Sequence, residues 1–249
     1  MQTFEDCVCI AQARVIAGFK REPHICTIAY QPAENHFLRL CIPFVKGRSP
    51  LIKRWSVFSF EGTKDGLAND NRDESWKLIT MTKTSSKGLG TKQKELIHRK
   101  ILSTYKYESE LNEERDSIGL LVPVPESLKF VQERLSIRRE DEKKELERAE
   151  MLKLKGIWYP SFKVKISGHY LKDGKRNSFN KQLLAWDVYE ALRLGGNRDP
   201  FAAIDRYRNP YLIIGNLATQ RRGWVAVGVL SAPDGAIQEY AIHQQLALV

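Results

Sequence analysis

The densest group of chemically capable side chains is Arg72-Asp73-Glu74-Ser75-Trp76. A base, two acids, a hydroxyl and an indole stand in five consecutive positions. Paired carboxylates in such a cluster can hold a metal or act as a base. The same residues also make an Arg–Glu bridge and a serine cap that pin a loop, and this structural reading is the favoured one. No second carboxylate cluster stands at a fixed spacing, so two-metal nuclease chemistry is not indicated.

Cys7-x-Cys9, Cys26, Cys41 and His24 supply enough ligands for a tetrahedral zinc site. However, Cys-x-Cys on a strand sends both thiols to one face, and free cysteine is usually buried. The two-residue spacing of zinc knuckles is absent, so neither a metal nor any other cofactor is expected. Gly-x-Ser-x-Gly, a Walker loop and His-Glu-x-x-His are also absent. His24, His36, His98, His169 and His243 are scattered, and only His169, before a polar turn, stands out among them. There is no recognisable catalytic motif. An enzyme acting on nucleic acid through residues 72–76, with His169 or Asp187, stands as an alternative.

The stronger pattern is positive charge interleaved with aromatic rings. Arg39, Lys53, Arg54, Trp55, Arg72 and Trp76 lie in the first half of the chain. Trp158, Tyr159, Lys163, Lys165, Arg221, Arg222 and Trp224 lie in the second. Single strands are bound by such pairings of a basic groove with stacking platforms. Trp55, Trp158 and Trp224 sit inside apolar strands and read as core. Lys163 and Lys165, two apart on a strand, point to one face and read as surface.

The 249 residues carry 40 Lys+Arg against 30 Asp+Glu, a net charge of +10. Residues 77–106 hold Lys77, Lys83, Lys87, Lys92, Lys94, Arg99, Lys100 and Lys106 against the single acid Glu95. Such a stretch attracts polyanions, because each neutralised phosphate releases counterions. The acidic run Glu108, Glu110, Glu113, Glu114 and Asp116 follows and can fold back against it.

The elements that must position these groups are mostly strands. Cys7–Ile10, Ile25–Tyr30, Phe37–Ile42 and Trp55–Phe60 read as strands, the middle two joined by turn residues into a hairpin. Short strands this close together suggest a small curved sheet or barrel. Residues 62–92 read as loop. Thr91 caps a helix over 92–106 with Leu96, Ile97 and Ile101 inward. Ile118–Pro123 reads as a short buried segment.

Leu128, Val131 and Leu135, then Leu146, Ala149 and Leu152, predict a charged helical region over 126–155, which links two halves or docks a protein partner. Trp158–Ile166 reads as a strand, Phe179–Leu194 as an amphipathic helix, and Asp199-Pro200 as the start of another. Tyr211–Asn216 and Trp224–Leu230 are apolar on both faces and read as central strands.

Four stretches carry a family resemblance. Ile25-Cys26-Thr27 with Phe37–Leu40 and Ile42-Pro43-Phe44 is the first. Lys53-Arg54-Trp55 with Arg72–Trp76 is the second, Ala185–Glu190 the third, and Tyr211–Asn216 with Trp224–Pro233 the fourth. Together they resemble an uncharacterised group of prokaryotic proteins described as tandem, or dual, OB-fold proteins. Relatives often end the last strand with two prolines, where this chain has only Pro233. The resemblance informs the fold, and a mobile-element or defence setting follows from it by analogy alone.

The expectation is therefore an α+β protein of two small β-rich, OB-like lobes with peripheral helices. Its parts are 1–125, with a basic loop and helix at 77–106, a charged helical linker at 126–155, and 156–249. It is expected to bind DNA or RNA with weak sequence preference, because phosphate contacts position without specifying. The expected contacts are Arg39, Lys53, Arg54, Arg72, Trp76, Lys83, Lys87, Lys92, Lys94, Lys163, Lys165, Arg221 and Arg222. The acidic start Met1–Asp6 and the lack of a long apolar run predict a cytoplasmic protein without membrane association.

Overall fold

A computed structural model describes residues 1–16, 23–44, 52–65, 67, 70, 72–84, 88–194, 209–217 and 220–237. Lys87, Asp199 and Pro200 lie outside these residues, as do the side chains of Lys83 and Arg221. The first five strands are β1 (Gln2–Ile16), β2 (His24–Gln31), β3 (His36–Pro43), β4 (Val57–Thr63) and β5 (Ser75–Thr84). They close into a barrel in the order β1-β2-β3-β5-β4, with β4 returning to β1. Only the β3–β5 pair is parallel. This connectivity is compatible with a small OB-like barrel.

Alternation explains why these residues close around a core. Cys7, Cys9, Ala29, Leu38, Leu40, Ile42, Phe58, Phe60 and Leu78 fill the interior. Their neighbours Val8, Ile10, Ile28 and Tyr30 project outward and are buried against the rest of the molecule. The long β1 bends by register shifts at Phe4/Cys7 and Cys9/Ala11, with Asp6 at φ 48° at the first. The β2–β3 hairpin forms as the sequence predicts. β5 occupies part of the segment read as loop. Its threonines and Ile79 are β-branched strand formers, but Ile79, Thr80 and Thr82 are exposed and its apolar alternation is faint.

The second β-body is built from β6 (Ile118–Leu121), β7 (Lys129–Arg134), β8 (Phe162–Lys172), β9 (Lys175–Leu183), β10 (Pro210–Leu217) and β11 (Gln220–Ser231). Among the described residues it is a six-stranded sheet in the order β6-β10-β11-β9-β8-β7, rather than a second closed barrel. The apolar character of β10 and β11 on both faces has a direct cause. Tyr211, Ile213, Val225 and Val227 pack toward the barrel. Leu212, Ile214, Trp224 and Ala226 pack into the opposite core. At the crossing a Cβ on Gly228 would lie 2.6 Å from the Ala11 Cβ, so only glycine admits this approach.

Among the described residues there are four α-helices: α1 (Thr91–Ser103), α2 (Glu108–Glu114), α3 (Glu140–Leu154) and α4 (Trp186–Leu194). α1 buries Ile97, Ile101 and Leu102, whereas Leu96, expected inward, faces solvent. The region 126–155 is not a continuous helix. The stripe Leu128, Val131, Leu135 spans a strand, β7, paired along its length with β8. Phe179–Leu183 likewise ends β9, and the helix starts at Trp186. α3 is docked rather than free. Leu152 is fully buried, and Glu145 accepts from Arg14 of β1 and from the Tyr159 hydroxyl, each at 2.9 Å.

Candidate nucleic-acid interface

The outward face of β2–β3 is where OB-like barrels commonly take oligonucleotides. Here it is covered. Ile28 and Tyr30 lie in the same apolar cluster as Tyr211, Ile213 and Val227 of the second sheet. Arg39, beside Ile28 across the β2–β3 ladder, is 7% exposed. Its Nη2 donates to the Ser117 carbonyl at 2.6 Å and to the Ser117 hydroxyl at 3.1 Å. Burial lowers its pKa from the ordinary arginine value. Arg72 does similar work from the loop before β5. Its Nη1 donates to the Asn216 carbonyl at 2.6 Å and its Nε to Asp70 at 2.6 Å. Burial pushes Asp70 upward, but the Arg72 hydrogen bonds and charge outweigh it and hold the carboxyl below its usual range. Arg39 and Arg72, expected at phosphates, are therefore struts between barrel and sheet.

Lys163 and Lys165 are also committed. Lys163 donates to Glu142 of α3 and lies 3.8 Å from Glu133 of β7; Lys165 reaches Glu133 at 2.8 Å. Glu142 is held at about 2, first by the hydrogen bond from Lys163 and then by the Ser136 N–H. A phosphate would have to displace carboxylates already in contact. The acidic run does fold back on basic partners: Lys106 bridges Glu114 and Asp116, and Lys181 meets Glu108 at 2.6 Å. Arg222 is exposed at the far end of β11. Val229, seven residues further along that strand, accepts from Arg54 at 3.5 Å. At ~3.3 Å per residue that places Arg222 and the Arg54 contact roughly 20 Å apart.

At one corner two lysine-bearing segments meet. The turn before β4 is tied to the segment before α1, because the Leu89 N–H donates to the Trp55 carbonyl at 3.0 Å. Trp55 holds φ 66°, the left-handed region that bulky residues rarely occupy. Its half-buried ring packs on His98 with centroids 4.7 Å apart, and His98 Nδ1 lies 2.7 Å from the Tyr211 hydroxyl. Burial first, then the Lys94 charge, pushes His98 down to about 4.

Lys53 lies two residues before Trp55, Lys92 and Lys94 lie in the first turn of α1, and of the three Lys94 acts on His98. None of the three shares an ion pair among the described residues. Arg54 borders them and pairs with Asp187 at 2.9 Å. The first turn of α1 contains no acid. Its helix dipole and its own lysines thus point the same positive sign outward.

Asp73, Glu74 and Trp76 of the 72–76 cluster lie elsewhere, on a cleft of about 820 Å³. Phe4, Phe37 and Trp76 form its apolar walls, and Glu34, Asp73, Glu74 and Asp116 its acidic ones. Lys64 sits 4.2 Å over the Trp76 ring, and the Ser117 hydroxyl donates to Glu74. The expected Arg–Glu bridge is replaced by the Arg72–Asp70 pair.

His169 and Asp187 do not join the cluster. His169, on β8, accepts at its carbonyl from the Val124 N–H and donates its own N–H to the Ser127 hydroxyl, each at 2.8 Å, and Asp187 faces Arg54. The four thiols do not form one cluster, since Cys26 and Cys41 face each other on β2–β3 away from Cys7 and Cys9. Cys7 and Cys9 are sealed in the barrel, where burial pushes both up to about 12, while Cys26 packs on the outer cluster. Among the described residues no three His, Cys, Asp or Glu side chains are grouped to hold a metal. No helix among them is long and apolar enough to cross a membrane.

Sequence reasoning missed the Trp55–His98–Tyr211 stack and the Arg14–Glu145–Tyr159 contact. Arg14 left a signal, the lone charge in the run Cys7–Ile16. Trp55 left none, because a left-handed φ is not visible in a residue type. No family model matches the chain, and searches of curated proteins and of solved structures find no similar protein.

Proposed function

We propose that the protein binds nucleic acid through phosphate contacts at the Trp55 corner. The observation that carries this reading is that the segments bearing Lys53 and, just beyond Leu89, Lys92 and Lys94 are joined at Trp55, and that none of the three lysines has a carboxylate partner among the described residues. The acid-free N-terminus of α1 adds a ready site for an anion. The net charge of +10 steers polyanions toward the molecule, and the half-buried indole offers a stacking edge worth roughly 1–3 kcal/mol per base. The covered β2–β3 face moves the contact away from the usual barrel groove. Phosphates then dominate the affinity, and sequence preference stays weak.

Membership in the dual OB-fold group belongs to the same proposal, supported by the closed barrel and by the motifs at both ends of the chain. The test is a salt titration with single-stranded DNA, single-stranded RNA and duplex. The expected result is a log–log slope of about −2 for single strands, from three phosphates at about 0.7 each. Binding that ignores salt, or no binding at low salt, overturns the proposal.

A second reading rests on the cleft at Asp73, Glu74 and Trp76. Its four carboxylates outnumber the one lysine that lines it, Lys106, paired with Asp116, and so disfavour phosphate; its aromatic walls suit a flat or aliphatic surface. The fitting ligand is a cationic one, such as an amine or a basic peptide side chain. Glu34→Gln with Asp73→Asn removes that preference. Spermine binding by calorimetry checks it, with loss of heat in the variant expected and unchanged heat contradicting it.

A further inference from the structure

The β2–β3 ladder places Cys26 directly opposite Cys41. One hydrogen bond fixes the phase of that ladder. The Phe44 N–H donates to the Pro23 carbonyl at 2.8 Å, so the 23/44 position is hydrogen-bonded. The two kinds of position alternate along an antiparallel pair. The pair 24/43 is then non-hydrogen-bonded, which suits Pro43 with no N–H to donate. The pair 25/42 is hydrogen-bonded, and 26/41 is non-hydrogen-bonded. At such positions the Cα atoms stand about 4.5 Å apart and the side chains are closest. That separation lies within the range a disulfide spans, about 4.4–6.8 Å.

Exposure and neighbours separate this pair from the other two cysteines. Cys26 and Cys41 are each partly open to solvent, whereas Cys7 and Cys9 are fully buried. Both partly open sulfurs project from the barrel on the side of Arg39, whose Nη1 donates to Cys26 Sγ at 3.8 Å. A fixed cation beside a partly exposed sulfur is the setting of reactive thiols.

We propose that Cys26 and Cys41 are a redox-active dithiol that a hydroperoxide closes into a cross-strand disulfide. Cys26, the sulfur in contact with Arg39, attacks a peroxide oxygen. The O–O bond breaks, hydroxide leaves and takes up a proton as water, and Cys26 becomes a sulfenic acid. The Cys41 sulfur then attacks Cys26 Sγ, the S–O bond breaks, and the departing hydroxide leaves with the Cys41 proton as a second water. Two thiols lose two electrons and two protons, and one hydrogen peroxide becomes two waters. The proposal is independent of nucleic-acid binding.

The experiment treats the native full chain with limiting hydrogen peroxide, followed by intact mass, thiol titration and peptide mapping. The expected result is a loss of two hydrogens and of two of the four titratable thiols, with Cys26 joined to Cys41 and full reversal by dithiothreitol. Cys41→Ser leaves a Cys26 sulfenic acid that dimedone traps, and Cys26→Ser leaves Cys41 unoxidised at the same dose. Added oxygen without loss of hydrogens, a bridge to Cys7 or Cys9, or an unchanged thiol count overturns the proposal.

Discussion

At the scale of single residues, arginines that look alike in sequence do opposite things. Arg39 is buried with two bonds to Ser117, and Arg54 is at the surface facing Asp187. Arg39→Met should lower stability by about 2–4 kcal/mol, since it removes charged hydrogen bonds and leaves the Ser117 carbonyl unmet. Urea unfolding measures this, and it should not alter the salt slope of binding.

His98 makes a pH prediction. Its folded pKa, about 4, lies below the ordinary value of 6.5, so the unfolded chain takes up the proton first. The native state keeps this contribution in full above 6.5 and loses it as pH falls toward 4. At 1.36 kcal/mol per unit the loss is about 3 kcal/mol. His98→Gln should flatten stability across that window, as followed by unfolding at pH 7 and pH 4.5. Asp70 and Glu142, whose pKa values are lowered, lose their contribution only as pH falls below the usual carboxylate range.

At the scale of elements, the legible parts of the fold are those whose burial pattern has one explanation. β10 and β11 are readable because two apolar faces require two cores, and the β2–β3 hairpin because turn residues separate two apolar runs. β7 reads wrongly because Leu128, Val131 and Leu135 fit a helical stripe as well as a strand that is mostly exposed. β5 and β9 are hidden by polar residues that pairing, not burial, holds in place.

Which arginines become struts is not legible, because a strand pattern gives the face of a side chain and not what covers that face. The β1–β11 crossing gives a sharp test. Gly228→Ala should cost about 1–3 kcal/mol through its clash with Ala11, and Ala11→Gly in the same chain should restore part of it. Simple additivity in the double-mutant cycle would place the strain elsewhere.

At the scale of the whole molecule, the net charge is real but its members are unequal. Lys163 and Lys165 are spoken for by Glu133 and Glu142, and Arg39 and Arg72 join barrel to sheet. Reversing Lys163 and Lys165 to Glu should therefore weaken folding around α3 and β7 while leaving the residual folded fraction's affinity for oligonucleotide unchanged. Among the described cations that share no ion pair, Lys53, Lys92 and Lys94 lie on segments that meet at a left-handed turn, a helix start and an aromatic stack. The most direct measurement is the salt dependence of single-strand binding for the wild type beside the Lys53→Glu, Lys92→Glu, Lys94→Glu triple variant. The account predicts that the slope of about −2 falls to near zero and that affinity drops with it while the fold persists. An unchanged slope and affinity in a folded triple variant would contradict it.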